Sequence, residues 1–174
     1  SLVGSEMCIR DRVRHWQEFS ASVARMRRLV GAKDTTSPRM PPALRWWVEN
    51  FALIRDIATR RYAAHVTTYD RLLEDPGTEV RRVVEWIGFG DAEAGAAVVD
   101  ANARTQSERS AEVEGVDASH LEVFDDLYDT LHRGDDLSEA FIRKLNETDV
   151  ALRPQITDYQ ARVREHAAQR LNTE

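Results

Sequence analysis

The chain has 174 residues, enough for one domain with a hydrophobic core, and a formal charge of −6. This acidic balance excludes a general nucleic-acid binder, which needs a basic face. No run of about 18 apolar residues occurs, so the sequence predicts no membrane span, and we expect a cytoplasmic protein. The 5 histidines are scattered without a partner at ligand spacing, which predicts no metal site.

Residues 1–12 are interpreted separately from the rest of the chain. The stretch from Leu2 to Arg12 resembles the translation of a transposon sequencing adapter in one reading frame. We therefore interpret residues 1–12 as a non-native segment and expect the native chain to begin near Val13. On this interpretation the single cysteine, Cys8, carries no information about disulfides. A short native strand around Cys8 is the alternative.

Apolar spacing predicts two helices in the first third of the chain. The first covers residues 15–30 and the second runs from the prolines at 41–42 to about Tyr62. The second helix is apolar on more than one side, so its tryptophan pair, Trp46 and Trp47, is predicted to lie in the core.

The sequence from Ala64 to Tyr69 is short and β-branched, which predicts a strand. Asp75 and Pro76 then predict a helix start, since an Asp side chain accepts from the first turn and Pro lacks only an N–H that would be unsatisfied anyway. We expect this helix to end at Gly88. Its apolar face should be buried and its polar face in solvent; these faces are Val80, Val83, Val84 and Ile87, and Arg81, Arg82 and Glu85.

The remaining sequence is predicted to be helical apart from a polar loop over residues 102–115. A short helix is expected over 91–100, and an amphipathic helix ends at Gly134. Residues 135–174 form a helical extension whose apolar residues alternate at three and four. That spacing favours packing on the same domain or self-association through the C-terminal helix. The chain as a whole is predicted to be mostly α-helical with one or two strands.

One segment resembles the 3′-phosphate-binding segment of the sulfotransferase family. In that family an arginine closes a central strand, and a serine follows eight residues later on the next helix. Here those residues are Arg14 and Ser22. Arginine suits the task because it stays charged and offers a fork of donors to two phosphate oxygens. The chain has Trp16 where family members often carry proline.

A second segment, residues 66–88, resembles the family's strand that ends in Tyr-Glu/Asp-x-Leu, followed by Asp/Asn-Pro and an amphipathic helix. The resemblance implies that Tyr69 lies beside the adenosine of the cofactor, while Asp70 organises the turn. A weaker likeness covers the polar loop with Arg104 and Ser107, to which we assign no role.

The resemblance implies a truncated α/β fold of the P-loop NTPase-like sulfotransferase type. Residues 13–134 would be the C-terminal half of that domain. The implied co-substrate is 3′-phosphoadenosine 5′-phosphosulfate, and the acceptor is a hydroxyl or amine of a small molecule or carbohydrate, with no metal. In the family the phosphosulfate loop and catalytic base precede the arginine segment. We therefore expect no catalytic residue in this chain and no activity from it alone.

Two other functions fit the sequence. A different P-loop enzyme, such as a kinase, would require magnesium. A non-catalytic helical interaction module would have an exposed apolar stripe on the C-terminal helix and no pocket near Arg14, Ser22 and Tyr69.

Overall fold

A computed structural model describes residues 9–29, 38–60, 64–100, 109 and 115–171. In this part of the chain, helices predominate and two short strands pair. The elements are β1 (Ile9–Val13), α1 (Trp16–Leu29), α2 (Pro42–Arg60), β2 (Ala64–Thr68), α3 (Tyr69–Glu74), α4 (Pro76–Ile87), α5 (Ala92–Ala97), α6 (Ala118–Arg133) and α7 (Glu139–Leu171). The mostly helical character and the two strands agree with the sequence; the wider P-loop NTPase-like architecture stays a prediction.

The two strands run parallel, with Val13 opposite Thr68. Parallel strands need a crossover connection, and here α1 and α2 lie in it. Most of β1 comes from residues 9–12, which the interpretation of residues 1–12 as non-native leaves out of the fold. The structure differs here, because these residues pair with β2 along its length; their non-native origin stays a prediction.

The predicted strand at 64–69 is one residue too long. Tyr69 begins α3, a helix that was not predicted from the sequence, because Thr68 acts as its N-cap. The hydroxyl of Thr68 accepts a hydrogen bond from the backbone N–H of Arg71 at 3.4 Å.

The core is centred on aromatic residues of α2 and α6, as the tryptophan pair predicted. Trp46 and Trp47 are both buried, and Phe124 of α6 lies against them. The Trp47 ring stacks between Phe51 at 5.2 Å and Phe124 at 4.8 Å, measured between ring centroids. Stacked aromatic rings of this size account for much of the apolar area that such a domain removes from water.

The α4 helix begins and ends as predicted, but its apolar face is not fully buried. Asp75 caps the first turn by accepting from the N–H of Thr78, and Gly88 closes the helix with a φ of 85°. The predicted apolar face, which includes Val80 and Val84, is only half-buried, whereas Glu79 is the buried residue of the helix. The short α5 covers this face with small side chains; a Cβ on Gly95 would lie 2.8 Å from a methyl of Val80.

The predicted helical extension over residues 135–174 is one continuous helix, α7, in the described residues, and it contains Pro154. Its buried residues all precede Tyr159; they are Leu145, Thr148, Leu152 and Ile156. Beyond Tyr159 most of the described side chains are exposed. None of the helices in the described residues is both long and apolar enough to cross a membrane.

Candidate functional site

The strand register brings two of the three predicted site residues together. Val13 and Thr68 are opposite each other at the carboxyl ends of β1 and β2, so Arg14 and Tyr69 are the residues that directly follow the two strands. The guanidinium carbon of Arg14 lies 4.2 Å from the centroid of the Tyr69 ring, a cation–π contact. The carbonyl oxygen of Arg14 accepts a hydrogen bond from the Trp46 indole N–H at 2.7 Å, which fixes the backbone at this point.

Ser22 is not part of this contact. It is a half-buried residue of α1, six residues after Trp16, where the helix begins. At 1.5 Å per residue it lies about 9 Å farther along the helix axis than Trp16. The structure therefore joins Arg14 with Tyr69 and leaves Ser22 as a separate position on the adjoining helix.

A buried network of polar side chains lies next to the Arg14–Tyr69 contact. Asp70 accepts from the hydroxyl of Tyr128 at 2.6 Å and from the guanidinium of Arg109 at 2.5 Å. The same guanidinium donates to Glu18 at 3.3 Å. Asp70 and Glu18 are both buried. Asp70 directly follows Tyr69, and Glu18 is four residues after Arg14. Arg109 thus ties the beginning of α1 to the beginning of α3.

Tyr128 acts in this network as a neutral hydrogen-bond donor. Burial raises the pKa of its phenol above the ordinary value, and the hydrogen bond to Asp70 raises that pKa further. The phenol therefore keeps its proton at neutral pH and donates it to the carboxylate. Its ring also meets His15 edge-on, with 4.9 Å between centroids.

His15 is held in its neutral form. Its Nδ1 accepts a hydrogen bond from the backbone N–H of Gln17 at 3.2 Å, so the ring proton is on Nε2, 3.1 Å from an oxygen of Asp125. Burial lowers the pKa of His15, and the charge of Arg109 lowers it further, although Asp125 opposes both effects. Both nitrogens are engaged, which suits a structural role.

Most of this network was not predicted from the sequence. Asp70 was expected to organise the turn, and the structure shows that this carboxylate links α3 to α6 through Tyr128. Glu18 and Arg109 were not singled out. The available signal for Glu18 was its place in the first turn of α1, four residues after Arg14, where an acidic residue is common whatever its role. Arg104 and Ser107 lie outside the described residues.

The cations at this edge of the sheet differ in whether their donors are already in use. Arg109 is neutralised by two carboxylates, whereas the Arg14 guanidinium lies over an aromatic ring, and within the described residues it makes no ion pair. Its N–H donors are therefore directed to solvent or to a ligand. No group of three or more His, Cys, Asp or Glu side chains among the described residues could hold a metal ion.

No protein-family model, curated protein or solved structure matches this chain. The site is therefore defined by its own geometry: an arginine and a tyrosine side by side at the carboxyl ends of two parallel strands.

Proposed function

We propose that this chain forms the nucleotide-anchoring part of a sulfotransferase that uses 3′-phosphoadenosine 5′-phosphosulfate. The observation that carries the proposal is the contact between Arg14 and Tyr69 at the carboxyl ends of β1 and β2. In open α/β sheets this edge is where ligands collect. Two sequence segments 55 residues apart meet there, in the order that the sulfotransferase resemblance requires.

Each residue has a distinct role in the proposed site. Arg14 holds the 3′-phosphate through paired N–H donors, because a guanidinium stays charged and matches two phosphate oxygens. Tyr69 lies beside the adenosine and offers its ring as a surface. The resemblance alone assigns Ser22 as a hydroxyl donor from α1, since the structure does not join it with Arg14. The wider fold that we propose is the P-loop NTPase-like α/β fold of such enzymes.

In the proposed reaction the acceptor oxygen or nitrogen attacks the sulfur, and the bond from sulfur to the bridging phosphate oxygen breaks. The acceptor's proton passes to a base, and adenosine 3′,5′-bisphosphate leaves. Negative charge develops at the 5′ end, where positioned donors are worth about 10²–10³ in rate each. Arg14 and Ser22 contact the opposite end, so we expect no sulfuryl transfer by this chain alone. Transfer at enzymatic rates would contradict this assignment of roles.

Binding of adenosine 3′,5′-bisphosphate tests the proposal, with adenosine 5′-monophosphate as the matched ligand without a 3′-phosphate. Saturation-transfer NMR detects the weak binding that we expect. Removing the charge of Arg14 by Arg14→Gln should weaken binding of the bisphosphate at least about tenfold, since a hydrogen bond to a charged group contributes about 1.5–3 kcal/mol. The affinity for the monophosphate should change little.

Arg28→Gln is the control, because Arg28 is an exposed arginine near the other end of α1. It should leave both affinities unchanged, and circular dichroism establishes that both variants fold. Equal binding of the two nucleotides, no binding of either, or equal effects of the two substitutions would each overturn the proposal.

A second candidate, a helical interaction module, is favoured by the end of α7. Val163 is 44% exposed there, four residues after Tyr159, which packs on the core. Self-association through this part of α7 predicts a concentration-dependent mass in analytical ultracentrifugation. Val163→Glu should abolish the concentration dependence and leave the helix content unchanged.

A further inference from the structure

A second possible binding site lies away from the Arg14–Tyr69 contact. A cavity of about 360 Å³ opens between α2, β2 and the α6–α7 connection. Its lining includes Ile54, Val66, Leu131, Leu137 and Ile142, and it contains none of the predicted nucleotide-site residues. Pockets of about 300–1,000 Å³ with an apolar lining and a few convergent polar groups are typical small-molecule sites.

One wall of the cavity carries a buried ionic cluster centred on Glu79. Arg71 donates to one oxygen of this carboxylate through Nη2 at 2.7 Å and Nε at 3.1 Å, and Arg82 donates to the same oxygen at 3.1 Å. Thr67 donates to the other oxygen at 2.9 Å. Two guanidiniums around one carboxylate leave this wall with a net charge of +1.

The two arginines differ in what they still have to offer. Arg71 is engaged on all three nitrogens, because its Nη1 also donates to the carbonyl oxygen of His132 at 3.4 Å. Arg82 uses only Nη1 on Glu79, and its side chain is 47% exposed. Arg82 is therefore the cation of this wall that has N–H groups available to a ligand.

His65 is a largely buried polar residue in the wall next to Glu79. Its side chain is only 11% exposed and lines the cavity. Its Nε2 is buried and has no hydrogen-bond partner among the described residues, since the nearest carboxylate oxygen, on Glu79, is 3.8 Å away. A buried polar nitrogen without a partner costs free energy, so such atoms are normally satisfied by protein, water or ligand.

The opposite side of the cavity is apolar, and its mouth is acidic. Leu131, Leu137 and Ile142 supply the apolar surface, and Asp135 and Asp136 are exposed at the rim. Asp135 is already paired with Arg133 at 2.6 Å. The rim charges act through water and are screened, whereas the charge of the inner wall acts at short range.

We propose that this cavity binds a small organic acid with one carboxylate and a short apolar body. The carboxylate would accept from the N–H groups of Arg82 that Glu79 does not use, and the apolar body would lie on Leu131, Leu137 and Ile142. A single negative charge matches the net charge of the wall. A phosphate dianion fits less well, because the carboxylate of Glu79 is in the same wall.

Hexanoate is the probe, with hexanol and hexylamine as matched neutral and cationic compounds. Titrations followed by protein NMR should show saturable binding of hexanoate, with shifts in residues of β2 and of the 134–142 segment. Hexanol and hexylamine should bind at least about tenfold more weakly, since they lack the charged acceptor. The proposed nucleotide site takes no part in this measurement, so the two proposals fail independently.

Arg81 and Arg82 form a matched pair of neighbouring arginines on α4, of which only Arg82 lines the cavity. Arg82→Gln should weaken hexanoate binding about tenfold, and Arg81→Gln should leave it unchanged. Thermal melts establish that each variant folds. No saturable binding of hexanoate, equal binding of the three compounds, or equal effects of the two arginine substitutions would overturn the proposal.

Discussion

The α2–α6 contact and the α4–α5 contact show two ways of holding a helix in place. Trp47 of α2 is fully buried between two stacked aromatic rings. In α4 the apolar residues are half-buried, and the buried residue is Glu79, which binds two arginines and a threonine. Both helices have a clear apolar stripe in the sequence. A stripe therefore predicts which face turns inward, whereas the size of the partner element decides how completely that face is covered.

The largest effect should come from truncating the aromatic core. Trp47→Ala should lower the free energy of unfolding by about 3–5 kcal/mol, because it removes a large buried ring and leaves a cavity. Urea denaturation followed by circular dichroism measures the change. Trp86→Ala is the control on α4, where the ring is half-buried. If both substitutions cost the same, the contrast between the two helices would be wrong.

The next largest loss of stability should come from removing Glu79, which pairs with Arg71 and Arg82. Glu79→Ala leaves Arg71, which is 14% exposed, without its carboxylate. Removing one partner of a buried ion pair costs about 3–5 kcal/mol, and we expect about 3 kcal/mol here because Arg82 is half-exposed and can be hydrated. Glu85→Ala, at an exposed position of the same helix, should change stability by less than about 0.5 kcal/mol in the same denaturation experiment. If the losses of stability for Glu79→Ala and Glu85→Ala differ by less than about 0.5 kcal/mol, the ion pairs of Glu79 do not hold α4 in place.

Much of the fold could be predicted from the sequence because the responsible signals are local. Apolar spacing predicted α1, α2 and α6, and the Asp75–Pro76 and Gly88 caps predicted the bounds of α4. The bounds of β2 were wrong by one residue, because Thr68 caps α3 and ends the strand. The burial of α4 was wrong because α5 is short and rich in Ala and Gly, which no pattern within α4 reveals.

The candidate site could be predicted only in part. The Arg14–Tyr69 pair depends on a short motif at each strand end, so each residue was visible in the sequence. The network behind it depends on residues far apart: Arg109 and Asp70 are 39 positions apart, and Tyr128 and Asp70 are 58 apart. A single sequence has no local signal for such contacts, since charged residues at these positions look like solvent-exposed ones.

A smaller effect is expected on the half-buried face of α4. Val84→Ala should cost about 1 kcal/mol, near the lower end of the range for removing buried methyl groups, because the side chain is only partly covered. Val98→Ala, at a position 82% exposed, is the control and should be neutral in a thermal melt. A loss above about 2.5 kcal/mol for Val84→Ala would show that the face is more deeply buried than the structure has it.

The smallest effect concerns the pH dependence of the α4 cap. Hydrogen bonds from Thr78 hold the pKa of the Asp75 carboxyl below its usual value. A carboxyl whose folded pKa is lowered stabilises the fold at pH values above its unfolded pKa of about 3.9, and this stabilisation is lost as the pH falls through the lower, folded pKa. The thermal midpoint of the native chain should therefore decline over this acidic range with a contribution from Asp75. Asparagine is also a good N-cap but does not titrate, so Asp75→Asn should remove this contribution and retain the helix.

Melting curves of the two proteins between neutral pH and pH about 2.5 measure the difference. Asp91→Asn, which makes the same substitution at the N-cap of the neighbouring helix α5, is the comparison variant. Parallel curves for the native chain and Asp75→Asn would show that the carboxylate of Asp75 contributes nothing through its charge, and that the Asp75 cap acts by hydrogen bonding alone.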